Sequence, residues 1–96
     1  MNLEELKKEK RNDILRIASG HGARNVRVFG SVLRGETTEK SDLDLLIELD
    51  SDRSLIDLIA VKQDLEDFLK CKVDVVTEAS VSPFIREEII SQAVSI

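Results

Sequence analysis

A chain of 96 residues is near the usual size of one domain and allows only a modest core, so residues 1–96 are expected to form a single compact domain. Fourteen basic against 19 acidic side chains leave a net charge of −5, which argues against a polynucleotide as the main ligand, and the only aromatics are three phenylalanines, too few for a base-stacking platform. Cys71 is the only cysteine, no apolar run is long enough to span a membrane, and the polar start Met1-Asn2-Leu3-Glu4-Glu5 is unlike a signal peptide, so no intrachain disulfide, no membrane and a reducing, cytoplasmic location are expected.

Leu3, Leu6, Ile14, Ile17 and Ala18 recur at helical spacing among charged residues, and Gly20 supplies a stop signal. His21 lies between two glycines and reads as a turn residue. The run Val26-Arg27-Val28-Phe29 predicts a strand that ends in the turn Gly30-Ser31, followed by a short helix and a polar loop from Glu36 to Lys40. From Asp42 to Leu49, apolar residues occupy every odd position and polar ones occupy 42, 44 and 48. This period of two predicts a half-buried strand with Leu43, Leu45, Ile47 and Leu49 in the core and Asp42 and Asp44 together on the other face.

Ser54 with Asp57 three residues on resembles a capping box, and Leu55, Leu58, Ile59, Lys62, Leu65 and Leu69 follow along one helical stripe. Lys72-Val73-Asp74-Val75-Val76-Thr77 is a short β-branched strand, and Ser82-Pro83 gives an N-cap with proline at the first helical position. The order is α-β-(short α)-β-α-β-α, an α/β (α+β) domain in which helices flank a small mixed sheet. The final apolar residues, Phe84, Ile85, Ile89, Ile90, Ala93, Val94 and Ile96, exceed what one helix stripe needs. They serve either as core or as contact with another chain, a self-dimer or a different protein.

The chemistry lies in three places. Asp42 and Asp44 are close enough to repel, so either one takes a proton at a raised pKa or a cation sits between them, and carboxylate oxygens suit hard ions such as Mg²⁺. In the Gly30-Ser31 turn a side chain is missing where a phosphate could approach, and a hydroxyl and backbone amides can donate to phosphate oxygens, with Arg34 one turn on as added charge or as a solvated turn residue. Asp74 is an acid inside a short strand, either a third member of the carboxylate group or a strand-end residue paired with Lys72 or a backbone amide.

Gly30-Ser31, Arg34-Gly35-Glu36, Asp42-Leu43-Asp44 and the later Asp74 together resemble the signature of the polymerase-beta-type nucleotidyltransferase superfamily. Size and layout make the chain similar to the minimal nucleotidyltransferase antitoxins, which are encoded beside toxins with a helical HEPN ribonuclease domain. The resemblance covers nearly the whole chain and implies transfer of AMP from ATP to a tyrosine hydroxyl of the cognate toxin. It further implies that Gly30 and Ser31 hold the β and γ phosphates, with Arg34 as an additional phosphate contact. Asp42 and Asp44 would bind two Mg²⁺ ions, and Asp74 would complete the catalytic metal and help to remove the proton of the attacking hydroxyl. Two alternatives are an antitoxin that neutralises by contact alone and a nucleotidyltransferase acting on a small molecule. A following helical domain that encloses the nucleobase, as in larger members of the superfamily, is not expected here.

Overall fold

The computed structural model describes residues 3–30, 32 and 43–96. The chain opens with a short helix α1 (Leu3–Glu5), a π-helical turn (Leu6–Lys10) and helix α2 (Arg11–Gly20). Strands β1 (Ala23–Phe29) and β2 (Leu43–Leu49) follow, then helix α3 (Leu55–Leu69) and strand β3 (Val73–Thr77). A 3₁₀ turn (Glu78–Ser80), helix α4 (Pro83–Gln92) and the two-residue strand β4 (Val94–Ser95) complete it. The expected short helix after Gly30 and the polar loop from Glu36 to Lys40 lie, apart from Val32, outside the described residues. Among those described, no helix is long and apolar enough to cross a membrane.

One four-stranded sheet runs in the order β3-β2-β1-β4, with β2 antiparallel to β1 and parallel to β3. The mixed sheet inferred from the chain order is therefore present. The alternation in β2 also holds: Leu43, Leu45 and Ile47 are fully buried in the main core, Leu49 packs at its margin, and Asp44 and Glu48 are half-buried on the opposite face. Helices α2 and α3 cover the core face through Ile14, Ala18, Val61 and Leu65, and Leu6 joins them from the π turn. A π turn is wider than an α turn, and the sequence pattern of Leu6 and Ile14 alone did not disclose it.

The end caps follow the sequence closely. Ser54 accepts from the Ile56 amide while Asp57 accepts from the Ser54 amide, and the Ser82 hydroxyl accepts from the Phe84 amide ahead of Pro83. Gly20, by contrast, is the last residue of α2, and the left-handed turn comes two residues later at Gly22 (φ +75°). Between the two glycines, His21 Nε2 meets Asp64 Oδ2 at 2.6 Å and ties the end of α2 to α3. A Cβ on Gly20 would meet nothing within 4 Å, so Gly20→Ala should stabilise the fold by about 0.4–1 kcal/mol through reduced freedom of the unfolded chain, read as an upward shift of the thermal midpoint.

Three features escape a local reading. Asn25 adopts a left-handed conformation (φ 50°) within β1, where the pairing with β2 shifts between Arg24 and Arg27, and this bulge turns Arg27 and Phe29 away from the core. Leu46 is fully buried on the face that carries Asp44, where alternation expects a polar residue. Finally, the C-terminal apolar segment divides. Val94 pairs with Val28 in β4 and Ile96 packs on the core, whereas Phe84 is 98% exposed on α4.

Candidate active site

The sheet face opposite the main core carries the candidate chemistry. Phe29 pairs with Asp44 across the antiparallel ladder, and Asp44 pairs with Asp74 across the parallel one. Paired residues point to the same face of adjacent strands, which lie about 4.8 Å apart, so the two carboxylates are neighbours on one surface. Asp44, on the central strand, is half-buried; Asp74, on the edge strand, is exposed.

Gly30 closes β1 beside this pair with φ +78°, a conformation that L side chains rarely adopt. The Asp44 carboxylate fills the space a Cβ would occupy, with Asp44 Oδ2 in direct overlap. Glycine is thus required twice, for the backbone angle and for the approach of the acid. The sequence-expected turn and the Asp strand are brought together here at Gly30 and Asp44.

Asp42, Ser31 and Arg34 lie outside the described residues. Among the described residues no group of three His, Cys, Asp or Glu side chains is gathered to hold a metal ion. The pair that is present nonetheless suits one: two anionic oxygen donors side by side repel in isolation and match the preference of a hard divalent cation such as Mg²⁺. One or more further ligands would be needed, from the chain, from water or from a substrate phosphate.

From the acids a cleft of about 430 Å³ runs toward α4. Phe29 and Asp44 stand at one end, Asp74, Val75 and Val76 contribute from β3, Ser80, Val81 and Ser82 form one wall, and Ile85 and Ile89 of α4 another. Lys62 of α3 also lines it. The wall is held by two arginines. Arg27, with only 11% of its side chain exposed, donates to Glu78 at 3.2 Å, and Arg86 donates to the Val81 carbonyl at 3.1 Å. The Thr77 and Ser80 hydroxyls cap the intervening 3₁₀ turn reciprocally.

Lys62, Arg27, Glu78 and the wall 80–82 were not singled out as site residues by the sequence. A lysine in an otherwise apolar helix stripe and an arginine within the run Val26-Arg27-Val28-Phe29 were the available signals. Neither points to the acids until the strand order is known.

A model of the nucleotidyltransferase domain matches residues 6–96. A Methanocaldococcus jannaschii protein, named by inference as a protein adenylyltransferase, is similar at 38% identity over 96 residues, 100% of this chain and 99% of that one. Protein adenylyltransferase MntA of Thermococcus cleftensis is 36% identical over 73 residues, 76% of this chain and 74% of its own. A solved structure described, again by inference, as a minimal nucleotidyltransferase is similar at 43% identity with a TM-score of 0.86, covering 100% of this chain and 97% of that one. A toxin-antitoxin structure with AMP-PNP shares the fold at a TM-score of 0.74 and 22% identity, covering 88% of this chain and 69% of that one. The match over nearly the full length, with a glycine turn and a carboxylate pair in register on neighbouring strands, means that this chain belongs to the nucleotidyltransferase domain family.

Proposed function

We propose that this protein is an adenylyltransferase antitoxin that moves AMP from ATP to a tyrosine hydroxyl of a cognate toxin of the HEPN type. The observation that carries the reading is the register of Asp44 with Asp74 beside a glycine turn that touches Asp44. It is supported by relatives named as protein adenylyltransferases and by the likeness in fold to toxin-antitoxin structures, one of them with AMP-PNP.

In this reading Gly30 and Ser31 receive the β and γ phosphates, with Arg34 as a further contact. The open backbone at a left-handed glycine lets phosphate oxygens approach amides that a side chain would cover. Asp42, Asp44 and Asp74 hold two Mg²⁺ ions, which supply charge neutralisation for the attacking and leaving oxygens when bound. In the same reading Asp74, exposed at the sheet edge, accepts the proton of the incoming hydroxyl, whereas half-buried Asp44 would orient the phosphates through the bound cations.

These 96 residues contain no tyrosine, so a phenolic acceptor lies outside them. Location in the cytoplasm, where ATP and Mg²⁺ are plentiful, belongs to the same reading.

Incubation of the protein with ATP, Mg²⁺ and its cognate toxin should add the mass of AMP to a toxin tyrosine, and chelation with EDTA should abolish the addition. Intact-mass spectrometry reads both. Protection from the toxin without any added mass would instead favour neutralisation by contact alone.

A further inference from the structure

We infer that the cleft between β3 and α4 is the acceptor pocket, shaped for an aromatic side chain whose hydroxyl reaches Asp74. The inference rests on the adenylyl-transfer reading and adds to it the place and chemistry of the second substrate.

The first argument is stereochemical. In an in-line displacement the entering and leaving groups stand on opposite sides of the phosphorus. Within the sheet, Gly30 at the end of β1 lies to one side of β2 and Asp74 on β3 lies to the other. With the β and γ phosphates at the glycine turn, the acceptor enters from the β3 side, where the cleft is.

The second argument is chemical. The cleft walls are largely apolar, through Val76, Val81, Ile85 and Ile89. Of its polar lining, the Ser80 hydroxyl is engaged with Thr77 and the Ser82 hydroxyl caps α4, whereas Asp74 and Lys62 can meet a ligand's polar atoms. A flat apolar body with one hydroxyl at its tip satisfies both parts of such a site, and apolar walls with a few placed polar groups are the usual make-up of a selective pocket. Serine or threonine would bring a hydroxyl but leave the walls unfilled.

The third argument is access. Ile85, which lines the cleft, is 46% exposed, so the rim offers apolar surface to an incoming polypeptide, and Phe84 beside it in sequence on α4 is 98% exposed. Lys62, which has no hydrogen-bond or ion-pair partner among the described residues, adds a cation beside the developing phenolate.

The step balances without a further reagent. The acceptor oxygen bonds to the α phosphorus, the bond from that phosphorus to the bridging oxygen breaks, pyrophosphate leaves with the electron pair toward Gly30, and the hydroxyl proton passes to Asp74.

The test exploits the absence of tyrosine and tryptophan from the chain, which leaves the fluorescence of N-acetyl-L-tyrosinamide unobscured. With Mg²⁺ and a non-hydrolysable ATP analogue present, the probe should bind saturably to the full chain and N-acetyl-L-serinamide should not displace it. Ile85→Asn and Lys62→Gln, both at solvent-accessible positions, should each weaken probe binding about ten-fold while leaving affinity for the ATP analogue unchanged. Ile56→Asn, on an exposed face of α3, should change neither. The inference is overturned if the Ile85 and Lys62 variants bind the probe normally, or if they lose the ATP analogue instead, which would mark the cleft as the nucleobase site. Normal probe binding by a wild-type protein that transfers no AMP would contradict the proposed reaction and leave the pocket standing.

Discussion

Replacing Asp44 with Asn should reduce AMP transfer by roughly 100- to 1,000-fold or more while leaving the fold in place, because it removes an anionic ligand of the divalent cations that would neutralise the phosphates, without changing the volume of the side chain. The position explains the separation of the two effects. Asp44 is half-buried on the central strand, flanked by Phe29 and Asp74, and the core contacts of β2 come from Leu43, Leu45 and Ile47 on the other face. Loss of a negative charge next to Asp74 also relieves repulsion when no cation is bound. Thermal unfolding should therefore move by no more than the equivalent of about 1 kcal/mol, and a mass-based transfer assay should show the loss of activity. An unchanged rate would remove Asp44 from the site.

Gly30→Ala should damage both properties. A non-glycine residue at φ +78° costs about 1–2 kcal/mol, and the new methyl would occupy the position of the Asp44 carboxylate. Either the turn or the acid must shift. For a domain of this size the first term alone lowers the thermal midpoint by roughly 4–16 °C, and displacement of Asp44 should bring transfer down toward the level of the Asp44→Asn protein. The combination distinguishes the two variants: one is inactive and stable, the other inactive and destabilised. Full activity in Gly30→Ala would show that the contact with Asp44 has no role in positioning the acid.

These outcomes reflect what was legible in the chain. The two faces of β2 followed from its alternation, and the starts of α3 and α4 followed from Ser54, Asp57, Ser82 and Pro83, because both depend on neighbours within a few positions. A strand carrying one interior acid left Asp74 open between joining the carboxylates and pairing with Lys72 or a backbone amide, and the parallel register brings it level with Asp44. The cleft was not legible. Its walls come from Phe29, Lys62, Val81 and Ile89, residues far apart in sequence that meet only because β3 takes the edge of the sheet and the chain then crosses back over the acid-bearing face.

Burial of Leu46 fits the same arrangement, since β2 contacts the 3₁₀ turn that begins the returning segment. The left-handed Asn25 and the two-residue β4 are short-range features, yet each is stabilised by a distant strand. Asn25 donates to Glu48 of β2, and Val94 pairs with Val28 of β1. The α3 stripe shows the limit of periodicity: Leu65 is buried as expected, but Leu55 and Ile59 are 69% and 54% exposed, so the apolar stripe extends beyond the surface that the sheet covers.

The most direct measurement is a crystal structure of the protein with an ATP analogue and Mn²⁺, located by its anomalous signal. Manganese bound to the carboxylates of both Asp44 and Asp74, with the terminal phosphates against the Gly30-Ser31 turn, is the expected result. Manganese bound away from those two side chains, or phosphates lying on the α4 side of Asp74, would contradict it.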